Sequence, residues 1–195
     1  MKRLFDFMVA SIGLIVLAPL FAMAAIMIKF DSKGPVFFRQ ERIGRNFKPF
    51  RIFKFRSMTD DAPSKGPSIT VGGDRRVTCV GAFLRKTKID ELPQLINVFL
   101  GDMSFVGPRP EVPKFVDVFR SDYDEILKVR PGITDYASIR YRDEESVLAK
   151  YNDPEEGYIK EVLPAKIRLA RQYIKERSIS VDIAIILKTL YTIVR

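Results

Sequence analysis

An α+β, mostly helical fold is predicted, with a re-entrant apolar helix at the N-terminus, a small β-hairpin and several amphipathic or interfacial helices. Three observations predict it. No charged residue occurs from Phe7 to Ile28. Two short β-prone runs, 36–40 and 50–56, flank Gly44-Arg45-Asn46. Beyond residue 79, apolar residues recur at helical spacing almost to the C-terminus. The 195 residues suffice for one ordinary domain plus a short appendage. We therefore divide the chain into an anchoring segment, 1–30, and a body, 31–195.

The apolar run of 22 residues would reach about 33 Å as one helix, against a bilayer core of about 30 Å. A cleaved signal peptide is the rival reading, since Lys2 and Arg3 precede the run and Ala22-Met23-Ala24 looks like a cleavage site. The run continues past that site to Ile28, which argues against cleavage. Positive charge flanks both ends: Lys2 and Arg3 before, Lys29, Lys33, Arg39, Arg42 and Arg45 after. The tendency of cations to stay cytoplasmic is not met by one straight crossing. Pro19 interrupts the helical ladder just past the middle. A helix that bends near Ala18-Pro19 and returns to the same face satisfies both facts; a kinked single span is the alternative.

Asp31 to Pro35 reads as a turn closing this segment. In the second strand Phe53 and Phe55 share one face, and Lys54 and Arg56 the other, which pattern alone reads as a solvated basic face. Residues 60–74 lack periodicity and form a candidate lid. A helix is expected over 80–86. Leu92, Leu95, Ile96 and Phe99 then trace an amphipathic stripe, with Asp90 placed as N-cap, Pro93 in the first turn and Gly101 at the stop. Gly107-Pro108-Arg109-Pro110 and Arg130-Pro131-Gly132 are rigid turns. A helical stripe starts at Val112, and further helices are expected over 144–151, 155–163, 165–176 and 181–193. The last is apolar nearly all round, hence buried or lying in a membrane surface.

Composition limits the chemistry. The chain has no His, which removes Ser-His-Asp and Cys-His schemes and the usual zinc sites. One cysteine, Cys79, excludes an intrachain disulfide framework. A net charge of +9 points to an anionic partner: nucleic acid, anionic lipid or a phosphorylated substrate. Asp, Glu, Lys, Tyr and hydroxyls must carry the reaction, and oxygen ligands beside phosphates suit Mg²⁺. Asp90 and Glu91 have two readings. They can be a helix cap and a dipole-favoured charge. Or the helix start keeps a carboxylate ionised, able to attack phosphorus without a general base.

Three blocks carry a resemblance: residues 34–58 (GPVFFRQERIGRNFKPFRIFKFRSM), 81–110 (GAFLRKTKIDELPQLINVFLGDMSFVGPRP) and 129–134 (VRPGIT). The chain resembles the bacterial sugar transferases, the monotopic polyprenyl-phosphate phosphoglycosyl transferases, almost end to end. The resemblance implies transfer of a sugar-1-phosphate from a UDP-sugar to undecaprenyl phosphate with release of UMP, at the cytoplasmic face of the bacterial inner membrane. It implies Asp90 as the nucleophile that forms a phosphosugar–aspartate, and Glu91, with Asp90, at a Mg²⁺ site. Lys54, Arg56, Arg85 and Arg109 would receive phosphate. It also supports the re-entrant reading of the helix broken at Ala18-Pro19, and makes residues 31–195 a cytoplasmic catalytic domain with membrane lipids as neighbours.

Two departures stand out. Arg142 has the spacing of a family Arg but different surroundings, and a family Asp expected near the end of the chain falls on Ala170. Because the chain begins almost at the apolar segment, it is expected to be the minimal form. No nucleic-acid partner is expected, and a homodimer is left open. An inactive scaffold and a membrane-anchored anionic-ligand module are the competing functional readings.

Overall fold

A computed structural model describes residues 2–62 and 72–194. It is mostly helical, with a two-stranded antiparallel sheet as predicted and a second, unpredicted pair of strands. The apolar segment folds as two helices, α1 (Lys2–Val16) and α2 (Ala18–Asp31), bent by 59°. Leu17 is the break, and Pro19 lies in the first turn of α2, where a missing N–H costs little. No single helix among the described residues is long and apolar enough to cross a membrane, although the bent pair together is.

Both ends of this pair are tied to the same body. Lys2 Nζ donates to the Val106 carbonyl (2.9 Å) and the Tyr173 hydroxyl (2.9 Å), and pairs with Asp182 (2.6 Å). Arg3 donates to the carbonyls of Val98 (2.5 Å) and Phe99 (2.8 Å) at the end of α4 (Gln94–Leu100). Buried Asp6 accepts from the Ser104 hydroxyl at 2.8 Å. At the far end, Asp31 accepts from the Val80 N–H at 3.2 Å. Near the bend, Ile12, Ile15 and Val16 stay exposed.

Strands β1 (Phe37–Ile43) and β2 (Pro49–Phe55) pair antiparallel, from Phe37↔Phe55 to Ile43↔Pro49. Their turn, Arg45–Phe47, places Asn46 and Phe47 in the left-handed region. Contrary to the solvated-face expectation, helices cover both sides of the hairpin. Ile52 packs with Ala10, Val98 and Met103, while Phe55 packs with Ala24, Ile28 and Leu84. Alternation fixed which residues share a face; the covering helices decided that Ile52, Phe55 and Arg56 are buried, while Arg39, Glu41 and Arg51 stay exposed.

Helix α3 (Cys79–Lys86) is capped by Thr78, whose hydroxyl accepts from the Gly81 N–H at 3.0 Å. After α4 comes β3 (Ser104–Val106), which pairs in parallel with β4 (Gly132–Thr134). The rigid turns of the sequence thus meet as strands. Glycine is required there: a Cβ on Gly132 would lie 2.1 Å from the Gly107 nitrogen. Gly132→Ala should cost more than about 2 kcal/mol through this backbone clash. Urea midpoints should record it, with Gly72→Ala, where a Cβ meets nothing within 4 Å, as the silent control.

The remaining helices are α5 (Pro113–Val118), α6 (Arg120–Ile126), α7 (Tyr136–Arg140), α8 (Glu144–Leu148), α9 (Pro154–Gly157), α10 (Leu163–Glu176) and α11 (Ile179–Val194). The stripe from Val112 is broken at Phe119, and α7 was not predicted. A π-helical turn, Tyr158–Val162, joins α9 to α10. The main core unites Phe115, Val116, Ile126, Leu148, Leu163 and Ile167. Helix α11 buries Ile185, as one reading expected of part of it, and leaves Ile179, Ile183, Leu187, Leu190 and Tyr191 exposed. Of the lid expected over 60–74, residues 63–71 lie outside the described residues.

Candidate active site

The site is built where α4 docks on β2. Asn97, fully buried, accepts from the Phe53 N–H (2.9 Å) and donates to the Arg51 carbonyl (2.9 Å). This clamp brings the segment before α4 alongside Lys54. That segment turns sharply: Lys88 adopts a left-handed conformation (φ 57°) and a single 3₁₀ turn, Ile89–Glu91, follows. A non-glycine residue in this region carries strain, which persists where the surroundings enforce it.

Asp90 is therefore not the N-cap that spacing suggested. Pro93 holds that position in α4 and no side chain caps the helix. The 3₁₀ turn instead directs the Asp90 carboxyl inward, where it is 7% exposed and Oδ1 has no hydrogen-bond partner. Burial raises its pKa above the ordinary aspartate value, and adjacent Glu91 adds to this, against the pull of Lys54, Lys88 and Arg85. The lowering expected from a helix start does not occur, because burial outweighs it and the Asp90 side chain does not cap α4.

Glu91 has the opposite environment. Arg109 Nη2 donates to its Oε1 at 2.5 Å and Nη1 to its Oε2 at 3.2 Å, while Lys54 Nζ donates to Oε1 at 2.9 Å. Burial alone would raise Glu91, but Arg109 and Lys54 overcome it and hold the carboxyl well below the usual range. Lys54 is lowered by burial, partly offset by Glu91. Arg109 is raised, chiefly by Glu91, and stays charged. Two neighbouring carboxylates thus have their proton affinities pushed apart, a pattern typical of reactive pairs.

The turn carrying Arg109 is fixed on three sides. Its N–H donates to buried Asp135 (3.1 Å), the Pro108 carbonyl accepts from the Gly132 N–H (3.0 Å), and the Pro110 carbonyl accepts from Arg42 (3.0 Å). Arg85 and Arg142 line the same cavity of about 1890 Å³ as Lys54, Asp90, Glu91 and Arg109. Arg85 is ion-paired with Glu145 of α8. Ala18 and Pro19 stand apart, at the bend of the helix pair.

Arg56 also lines the cavity, but its bonds run away from the acidic pair. Its Nη2 donates to the Ser32 carbonyl (2.7 Å) and hydroxyl (3.0 Å), and more weakly to the Ile28 carbonyl (3.4 Å), closing the end of α2. Arg56→Met should lower stability by about 2 kcal/mol through the orphaned Ser32 carbonyl, seen as a lower melting temperature. Unchanged melting with lost activity would instead mark a phosphate ligand.

Sequence reasoning did not single out Asp135, Glu111, Glu144, Tyr158 or Lys166, all of which the fold brings to this region. Glu111 directly follows the GPRP turn and Asp135 directly follows PGIT, so proximity to rigid turns was the available signal. Ala170 packs in the main core.

Among the described residues, no three His, Cys, Asp or Glu side chains form a ready metal cage. Mg²⁺ commonly takes one or two carboxylates and completes its shell with substrate phosphates and water; the carboxylates here that could hold it are Asp90 and Glu91, and both Glu91 oxygens already accept from Arg109 and Lys54. Asp90 Oδ1 is a hard oxygen without a partner, and Glu91 adjoins it.

A family model described as "bacterial sugar transferase" matches residues 1–195. An N-acetylgalactosaminephosphotransferase of Aeromonas hydrophila, acting from UDP-N-acetylgalactosamine to undecaprenyl phosphate, is 39% identical over 98% of this chain and 43% of its own length. A UDP-glucose:undecaprenyl-phosphate glucose-1-phosphate transferase of Escherichia coli K12 is 37% identical over 98% of this chain and 39% of its own. The exopolysaccharide production protein ExoY of Rhizobium meliloti is 33% identical over 97% of this chain and 83% of its own. The chain thus spans about two fifths of the length of the first two relatives and most of the third.

Proposed function

This chain belongs to the bacterial sugar transferase family, and from that premise we propose that it transfers a sugar-1-phosphate from a UDP-sugar to undecaprenyl phosphate, releasing UMP, in polysaccharide synthesis. The observation that carries the reading is the buried Asp90 carboxylate, with an unpartnered oxygen, beside the Glu91–Arg109–Lys54 cluster in a chain without His. The two long relatives named above act on a UDP-sugar and undecaprenyl phosphate, by their names.

In the first step an Asp90 carboxylate oxygen attacks the phosphorus that bears the sugar. The bond from that phosphorus to the bridging oxygen breaks, and UMP departs with the electron pair. In the second step an oxygen of the lipid phosphate attacks the same phosphorus, and the bond to Asp90 breaks, restoring the carboxylate. Desolvation makes Asp90 more basic and so a better nucleophile, while Lys54, Lys88 and Arg85 favour its charged form. Lys54, Arg85 and Arg109 line the cavity where phosphate oxygens gain charge. Mg²⁺ held by Asp90 and Glu91 would neutralise phosphate charge there.

The same reading places the protein at the cytoplasmic face of the inner membrane, with α1–α2 dipping in and returning. Tethering of Lys2, Arg3 and Asp31 to one body supports it, as does the exposed apolar bend. Tags on the two termini reporting opposite faces would sink it. The activity is tested by UMP release from a UDP-sugar panel with undecaprenyl phosphate and Mg²⁺. Turnover with at least one sugar is expected; silence across a broad panel would favour the scaffold reading.

A further inference from the structure

Phosphoryl chemistry uses Asp90, Glu91, Lys54, Arg85 and Arg109, yet the cavity has a second polar group of side chains that this chemistry leaves unexplained. Glu111 is buried and lies 3.6 Å from Arg42 Nη1. Its Oε1 accepts from the Tyr158 hydroxyl at 2.5 Å. That hydroxyl in turn accepts from Lys166 Nζ at 3.3 Å, and Lys166 is ion-paired with Glu144. The five come from β1, the loop after Arg109, the π-helical turn, α10 and α8, and all line the cavity.

Stability does not account for such a chain. A buried ion-pair network is generally no more stabilising than apolar side chains of the same volume. Phe115, Leu148 and Ile167 show that the adjoining core is apolar. Nor is the network saturated: Arg42 Nε is buried without a hydrogen-bond partner.

The composition selects the ligand. Arg42 and Lys166 balance Glu111 and Glu144, so the group has no net formal charge and holds little attraction for a phosphate. It combines carboxylate acceptors with ammonium, guanidinium and phenol donors, which is the pairing that hydroxyl groups satisfy as both donors and acceptors. Its position fits as well. Glu111 is two residues from Arg109, and the field of Glu144 reaches the Arg109 guanidinium. In a UDP-sugar the sugar ring is joined through one oxygen to the phosphorus that Asp90 attacks, so it lies in the cavity that Asp90, Arg109 and this group line together.

We infer that Glu144, Lys166, Tyr158, Glu111 and Arg42 form the subsite that binds the hydroxyl groups of the transferred sugar and selects among sugars. This rests on the transferase reading for the identity of the ligand. A site built to hydrogen-bond a hydroxyl discriminates strongly against ligands that leave its polar groups unpaired.

The test is calorimetric binding of UDP, UDP-glucose, UDP-galactose and their N-acetylated 2-amino counterparts to the full chain with Mg²⁺. Wild type should bind at least one UDP-sugar more tightly than UDP. Glu144→Gln and Lys166→Met should reduce that advantage by roughly 10-fold or more, while UDP affinity stays within about twofold. Lys166→Arg, which keeps the charge, should retain most of it. Retained UDP affinity also reports that the variants fold. A parallel loss of UDP affinity, or an unchanged preference among sugars, would overturn the inference. Wild-type binding with the expected sugar preference but no UMP release would overturn the transferase reading and leave the sugar subsite standing, so the two failures are distinct.

Discussion

Asp90→Asn should lower UMP release by at least ~10³-fold and at the same time raise the melting temperature at pH 7. The two effects share one cause. The carboxyl is buried with an unpartnered oxygen, and its pKa in the fold lies above the ordinary aspartate value. An acid raised in this way favours the fold only while protonated. Its contribution is fully present below about pH 3.9 and is lost as pH rises through the folded-state pKa. At neutral pH the charged group is thus a cost that the isosteric amide removes, together with the nucleophile. A mass spectrum sharpens the result: wild type plus UDP-sugar alone should gain a sugar phosphate on the peptide containing Asp90, and the variant should not. Undiminished turnover in Asp90→Asn would refute the nucleophile.

Arg109→Met should impair both activity and folding. It removes both guanidinium bonds to Glu91 and leaves that partly buried carboxylate with Lys54 as its remaining cationic partner. Breaking one side of a fully buried pair costs about 3 kcal/mol and of an exposed one less than about 1 kcal/mol, so this partly buried pair should lose about 1–2 kcal/mol, which a urea titration at pH 7 would detect. Glu91 is held below the ordinary glutamate range, so its share of stability is present above about pH 4.3 and is lost as pH falls through its lowered pKa. The stability difference between wild type and Arg109→Met should therefore shrink in strong acid. Transfer should fall by roughly 100-fold or more, as for loss of a preorganised charge at a reacting phosphate. Arg109→Lys keeps charge but loses the two-pronged geometry and should fall between the two.

Much of the site was legible because its residues lie in contiguous motifs. Asp90 and Glu91 precede an apolar stripe, Arg109 stands between prolines, and Lys54 alternates with Phe53 and Phe55. Arg56 shows the limit of such reading. It shares the strand face of Lys54, but α2 ends beside it and takes its guanidinium for the Ser32 carbonyl. Asp90 shows another limit: spacing placed it at a helix start, whereas the left-handed Lys88 turned it into the cavity as part of a 3₁₀ turn.

The sequence by itself determined the mostly helical fold with one hairpin, the break in the apolar segment near Pro19 and the acidic pair. These are properties of local order: the period of apolar residues, a missing proline donor and adjacent side chains. Only the tertiary structure decided that β3 and β4 pair through the glycine contact at Gly107 and Gly132, that Glu91 rather than Asp90 takes the Arg109 and Lys54 charges, and that residues as distant as Arg42 and Lys166 line one cavity. Those outcomes depend on which surfaces meet after packing. Burial and charge then set the two carboxyls apart, although the chain places them side by side.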